Sequence, residues 1–291
     1  MNTRSMIFTL YGDYIRHYGN KIWVGSLIRL LNEFGHNDQA VRAAISRMNK
    51  QGWVQGEKKG NKSFYSLTQR GSARMEEAAK RIFKLKPEEW DGKWRMLMYT
   101  IPEEIRSVRD ELRKELVWSG FGSLSTSCWI SPNNLEEQVK GLIEKYEIGE
   151  YVDFFTADYI GPQTNQSLVN KSWDLDEINA KYSWFINEYD PKYITDKEQI
   201  QNGKISDAEC FVKRTELVHE YRKFLFVDPG LPQELLPDKW LGDEAASLFD
   251  AYYSELAQPA LRFFESVFEE GNELTLKNSS SNAMDHPFMI N

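Results

Sequence analysis

The segment IWVGSLIRLLNEFGHNDQAVRAAISRMNKQGW, residues 22–53, constrains the chain more than any other. Ile22, Leu27, Leu30, Leu31 and Phe34 recur mostly at three- and four-residue steps and stop at Gly35, which is the period and the terminator of an amphipathic helix. Gly35-His36-Asn37 is a short turn, and the Asn37 side chain can accept from the free amides of the next helix's first turn. In that second helix Val41, Ala44, Ile45 and Met48 share one face, whereas Gln39, Arg42, Ala43, Ser46, Arg47 and Lys50 share the other. Two helices joined by a three-residue turn containing glycine predict a helix-turn-helix, whose second helix lies in the DNA major groove.

The outward residues suit that role. Gln39 and Arg42 can hydrogen-bond adenine and guanine edges, Ala43 allows close approach, and Ser46, Arg47 and Lys50 can reach bases or phosphates. Next, Trp53-Val54-Gln55 and Phe64-Tyr65-Ser66-Leu67 predict two short strands around GEKKGNK, a glycine-bearing turn carrying Lys58, Lys59 and Lys62. A helix-turn-helix followed by a basic hairpin is the winged-helix arrangement, with the wing supplying backbone or minor-groove contacts. Charge points the same way. Residues 1–86 hold 16 Lys and Arg against 6 Asp and Glu, while residues 87–291 hold 20 against 38, so the net charge of -8 conceals a basic first domain on an acidic body. Lysine and arginine supply most sequence-independent affinity for nucleic acid by neutralising phosphate.

Residues 87–170 have the order β-α-β-β-α-β: WRMLMYT as a strand, Ile105 to Trp118 as a helix, GFGSLSTSCWIS as two strands, Leu135 to Tyr146 as a helix and YVDFFTA as a strand. That order predicts a ferredoxin-like fold. GPQTNQSLVNKS then reads as a linker to a helical domain over 171–271, with helices at Trp173 to Tyr189, Asp207 to Phe226 and Glu244 to Glu269, the last holding Pro259 where a kink is expected. The three prolines of DPGLPQELLPDKWLG, residues 228–242, fix a non-helical connector, and the polar start of residues 272–291 predicts a disordered tail. The expected fold class is therefore α+β with three parts.

The run TRSMIFTLYGDYIRHYGNKIWVGSLIRLLNEFGHNDQAVRAAISRMNKQGW resembles the N-terminal domain of the PaaX-type transcriptional repressors of phenylacetate catabolism, and LVHEYRKFLFVDPGLPQELLPDKWLG resembles their C-terminal domain. The resemblance implies a homodimer that binds double-stranded operator DNA and is released by an aromatic acyl-coenzyme A, phenylacetyl-CoA. That effector needs cations for its phosphates and an apolar slot for its aryl group, for which Arg222, Lys223 and Trp240 are the candidates. The start of the middle domain is also similar to the small ferredoxin-like nuclease of CRISPR adaptation, in which an acidic residue ends the first strand. Here Thr100 stands there, and Asp91 and Asp110 are expected to be surface carboxylates, so no catalysis is expected and the domain reads as a relay or dimerisation unit.

Other classes find little support. The four histidines lack ligand spacing, Cys128 and Cys210 lie far apart, and no nucleophile motif, phosphate loop or dinucleotide fingerprint occurs; neither a metal nor a cofactor is expected. No apolar run approaches the roughly 20 residues of a membrane span, so a cytoplasmic protein is expected. Two rivals stay open: a metal-dependent nuclease, and an adaptor whose basic domain docks an acidic protein.

Overall fold

The computed structural model describes residues 2–82 and 89–269. In chain order the elements are α1 (Thr3–Asp13), β1 (Lys21–Trp23), α2 (Val24–Asn32), α3 (Asp38–Lys50), β2 (Val54–Lys59), β3 (Lys62–Leu67), α4 (Gln69–Ile82), β4 (Trp94–Tyr99), α5 (Arg106–Trp118), β5 (Gly122–Ser125), β6 (Cys128–Ser131), α6 (Glu136–Tyr146), β7 (Val152–Ala157), α7 (Asn165–Ser172), α8 (Leu175–Gln201), α9 (Asp207–Tyr221) and α10 (Gly242–Glu269). The fold is α+β with two antiparallel sheets, one of three strands in the order β1-β3-β2 and one of four in the order β5-β6-β4-β7.

The chain packs as two compact units, each built from segments that are distant in sequence. One comprises Met1–Lys84, Asn187–Arg222 and Ala246–Asn291; the other comprises Leu85–Ile186 and Lys223–Ala245. Residues 1–86 are thus not a self-contained body, and the reason lies in α1. Met6, Ile7, Leu10 and Tyr11 are all fully buried, so this helix has apolar surface on more sides than α2 and α3 can cover. α9 supplies the remaining cover. Tyr14, just past α1, stacks on Phe264 of α10 at 4.9 Å and meets Phe211 of α9 at 5.3 Å. Each such aromatic removes enough apolar surface from water to contribute about 1.5–3 kcal/mol.

Polar groups of the first unit close across the same helices. Asp13 accepts from Arg214 at 3.1 Å and from the Tyr253 hydroxyl at 2.5 Å, with both charged side chains buried. Thr9 Oγ1 and His219 Nδ1 are hydrogen-bonded at 3.0 Å, and Ser26 Oγ donates to the Val267 carbonyl at 2.9 Å. Burying these groups is tolerable because each finds a partner.

In the second unit the order β4-α5-β5-β6-α6-β7 repeats the expected β-α-β-β-α-β pattern. Leu97 sits opposite Trp129 on β6 and Phe154 on β7, and this face carries the core with Leu112 and Leu116 of α5 and Val139 of α6. The expected linker GPQTNQSLVNKS is a correction: eight of its residues form α7, capped by Thr164 Oγ1 accepting from Ser167 N at 3.2 Å and anchored by the fully buried Val169. Gly122 of β5 lets the adjoining Trp173 ring approach so closely that a Cβ there would lie 2.5 Å from it. The 228–242 segment is an ordered connector as expected, held by Asn133 Nδ2 on the Gly230 carbonyl (3.0 Å) and by Asn179, which donates to Lys239 O and accepts from Leu241 N. The C-terminal helices differ in their ends. α8 runs on through Pro191 to Gln201, α9 yields to a 3-10 turn over Arg222–Phe226, and α10 is continuous across Pro259. The hinge at Lys86-Pro87 and the tail from 272 onward lie outside the described residues.

Candidate nucleic-acid interface

The turn between α2 and α3 forms because Gly35 takes φ 76°, a left-handed conformation that costs glycine nothing sterically. Asn37 Oδ1 then accepts from Ala40 N at 2.9 Å and starts α3. Val41, Ala44, Ile45 and Met48 are buried, which turns Gln39, Arg42, Ala43, Ser46, Arg47 and Lys50 outward, and all six are exposed. Asp38 stands one turn before Arg42, yet among the described residues no carboxylate forms an ion pair with Arg42, Arg47 or Lys50.

The hairpin differs from its sequence reading. β2 and β3 pair from Val54↔Leu67 to Lys59↔Lys62, so the turn is only Gly60-Asn61, and Lys58, Lys59 and Lys62 stand on strands rather than in a loop. Ile22, read as the start of a helix, lies instead in β1 opposite Tyr65; its apolar side chain is buried as a strand residue, and α2 begins at Val24. Lys21 of β1 pairs with Glu57, whose carboxyl is held below the usual carboxylate range by that hydrogen bond. Lys59 lies 3.9 Å from the same carboxylate, and Lys62 sits over the Trp23 ring at 5.1 Å. Lys58 is exposed.

The position of α3 is set partly from far along the chain. Phe34, in the turn before α3, packs on Phe211 of α9 at 5.7 Å. Arg214 of α9 lies over the Tyr14 ring at 5.0 Å; burial alone would disfavour its charge, but Asp13, Tyr253 and Tyr14 more than offset that and hold it protonated. Sequence reasoning missed Asp13, Arg214 and Tyr253. Asp13 stands on the same face as Leu10 and Met6, and a carboxylate on an apolar stripe is the signal that a distant cation is required.

The three effector candidates have different surroundings. Arg222 belongs to the first unit, where its guanidinium donates to the Ser5 carbonyl at 3.1 Å and to Ser5 Oγ. Burial pushes its pKa down to about 10, and no carboxylate hydrogen-bonds it among the described residues. Lys223 and Trp240 belong to the second unit; Lys223 is exposed, and Trp240 packs edge-on against Tyr182 at 5.4 Å. That unit holds an open cavity of about 840 Å³ between α7, the start of α8 and Leu236–Asp238, which none of the three lines. Lys171 is the one cation of its lining against Asp174, Asp176 and Asp238, and Ser172 Oγ and Trp173 Nε1 on its wall have no hydrogen-bond partner among the described residues.

At the end of β4, Thr100 is exposed and its amide donates to the Tyr151 carbonyl at 2.8 Å. Asp91 is held bidentately by Arg95 at 2.7 and 2.6 Å, and Asp110 lies 3.7 Å from Arg106 on an exposed helix face. Among the described residues no three His, Cys, Asp or Glu side chains are grouped to hold a metal ion, and no helix is long and apolar enough to cross a membrane.

Three family models match the chain in sequence: a PaaX-like protein model over residues 2–71, the central Cas2-like domain of PaaX proteins over 87–169, and the C-terminal domain of PaaX-like proteins over 173–266. The transcriptional repressor PaaX of Escherichia coli K12 is 34% identical over 270 residues, which span 92% of this chain and 83% of that protein. Among solved structures, the uncharacterized protein Rv0674 from Mycobacterium tuberculosis superposes with a TM-score of 0.52 over 83% of this chain and 89% of its own, at 24% identity. That likeness bears on the fold alone.

Proposed function

The chain belongs to the PaaX family, and from that premise we propose that it is a transcriptional repressor that binds operator DNA as a homodimer and releases it on binding an aromatic acyl-coenzyme A, phenylacetyl-CoA. The observation that carries the DNA half is the outward face of α3, where Arg42, Arg47 and Lys50 stand exposed and without a carboxylate partner among the described residues. The order α1-β1-α2-α3-β2-β3 supports a winged helix, with α3 as the recognition helix and Lys58, Lys59 and Lys62 as the wing's phosphate contacts. Gln39 and Arg42 sit in the first turns of α3, where a recognition helix meets base edges; Ala43, Ser46, Arg47 and Lys50 continue that face toward the backbone.

The effector half is supported by Arg222, a half-buried guanidinium whose hydrogen bonds among the described residues go to one serine's carbonyl and hydroxyl, which leaves it suited to a phosphate or thioester oxygen. Lys223 and Trp240 belong to the other unit and are separate candidates for effector contacts. The cavity beside α7 is poorly suited to the coenzyme's phosphates, because three aspartates face one lysine there. A regulator is favoured over an enzyme, since Asp91 and Asp110, the carboxylates considered for metal binding, are paired with Arg95 and Arg106.

The test is a binding titration with random and operator duplexes across a salt series, repeated with phenylacetyl-CoA, coenzyme A and an aliphatic acyl-CoA. Salt-dependent duplex binding that phenylacetyl-CoA alone weakens is the expected result. Absence of duplex binding removes the DNA half, and equal behaviour of all three coenzyme A species removes the effector half.

A further inference from the structure

Beyond α3 and the hairpin, four side chains of the same unit form a surface stack. The Arg4 guanidinium lies over the Phe8 ring at 5.6 Å, Phe8 meets Trp53 edge-to-face at 5.6 Å, and the Arg70 guanidinium lies over the Trp53 ring at 4.4 Å. Arg70 is exposed and the other three are half-buried. The stack is tied to the C-terminal end of α3, because Trp53 N donates to the Met48 carbonyl at 3.0 Å. It is tied equally to the start of α4: Thr68 Oγ1 accepts from Gly71 N at 3.1 Å and donates to the Gly52 carbonyl at 2.7 Å. Gly71 is required for this approach, since a Cβ there would sit 2.4 Å from the Trp53 carbonyl oxygen.

An arginine laid over an aromatic ring is attracted through its face and keeps its in-plane N–H donors for another acceptor. Among the described residues no carboxylate pairs with Arg4 or Arg70. Two oriented guanidinium groups beside the end of the proposed recognition helix therefore lack the planar anion that matches their donors. We propose that Arg4 and Arg70 form an additional phosphate-binding site for the DNA backbone, which the Phe8–Trp53 pair holds in position. This rests on the DNA-binding function proposed above. The site anchors the C-terminal end of α3 against the sugar-phosphate chain and carries no base preference.

The full-length Arg4→Gln/Arg70→Gln variant tests it, against wild type, on a random-sequence duplex and on a duplex that the wild-type protein selects from a random pool. Each phosphate contact contributes a salt slope of about 0.9, equivalent to roughly fivefold in affinity near 0.15 M salt relative to 1 M. The double variant is expected to lose roughly thirtyfold on both duplexes, with a slope lower by about 1.8 and an unchanged ratio between them. Arg70→Lys, which keeps the charge and loses the planar stack, should fall between the two. A double variant with wild-type slope, while wild type binds normally, overturns the site; so does a loss confined to the selected duplex. Failure of wild type itself to bind any duplex would instead remove the DNA-binding function. A melting curve of the variant matching wild type excludes unfolding as the cause of the loss.

Discussion

The cations of α3 and those of α5, α6 and α8 are the same residue types on helices of the same chain, yet they are handled oppositely. Lys114 pairs with Glu111, Lys140 with Glu136, Lys181 with Glu177 and Lys192 with Glu188, each three or four residues away and at 2.6–2.9 Å. Such pairs stabilise a helix locally and cancel its charge. On α3, Arg42, Arg47 and Lys50 have no such partner among the described residues, and Asp38 does not pair with Arg42 despite favourable spacing. The difference teaches that composition alone does not make a binding face. An acidic protein can present a strong positive field wherever its carboxylates are withheld from one helix.

A third class sharpens the contrast: Arg214, paired and buried. Its replacement by methionine should have the largest effect, about 3–5 kcal/mol of stability, because it leaves Asp13 as an uncompensated buried carboxylate; thermal or denaturant unfolding measures this. Arg42→Ala should leave stability unchanged and cost about 1–3 kcal/mol on the operator, with relaxed preference at one base position, read by competition binding. Lys59→Ala should weaken every duplex alike and reduce the salt slope by about one ion. Lys140→Ala should move neither the melting temperature nor duplex binding measurably, since an exposed helix pair is screened by water. The comparison breaks if Lys140→Ala weakens duplex binding as much as Arg42→Ala does, for then only total charge matters.

The face of α3 is legible in the sequence because four buried positions at helical spacing leave no choice about where Arg42 and Arg47 point. The central β-α-β-β-α-β order is legible for the same reason, each element carrying its own apolar period. The length of β2 is not, because only Val54 of its six residues is buried; Gln55 to Lys59 show no alternation, and cross-strand pairing with β3 makes them a strand. α7 hides because eight mostly polar residues hold a helix through one cap and one buried valine. The packing of α9 and α10 on α1 hides for another reason. Asp13 and Arg214 are 201 residues apart, and no local pattern in either segment names its partner.

The hydrogen bond from Ser26 to Val267, near the end of the described chain, also has a consequence for synthesis. The unit that carries α3 is discontinuous: it opens at the first helix and is closed by the last. At about 5–20 residues per second, roughly 10–40 s separate translation of α3 from that of the end of α10. During that interval the nascent chain has the basic helix and lacks α9 and α10, which bury Asp13 and Tyr14. A chain that stops before α9 therefore leaves α1 without the helices that cover Asp13 and Tyr14.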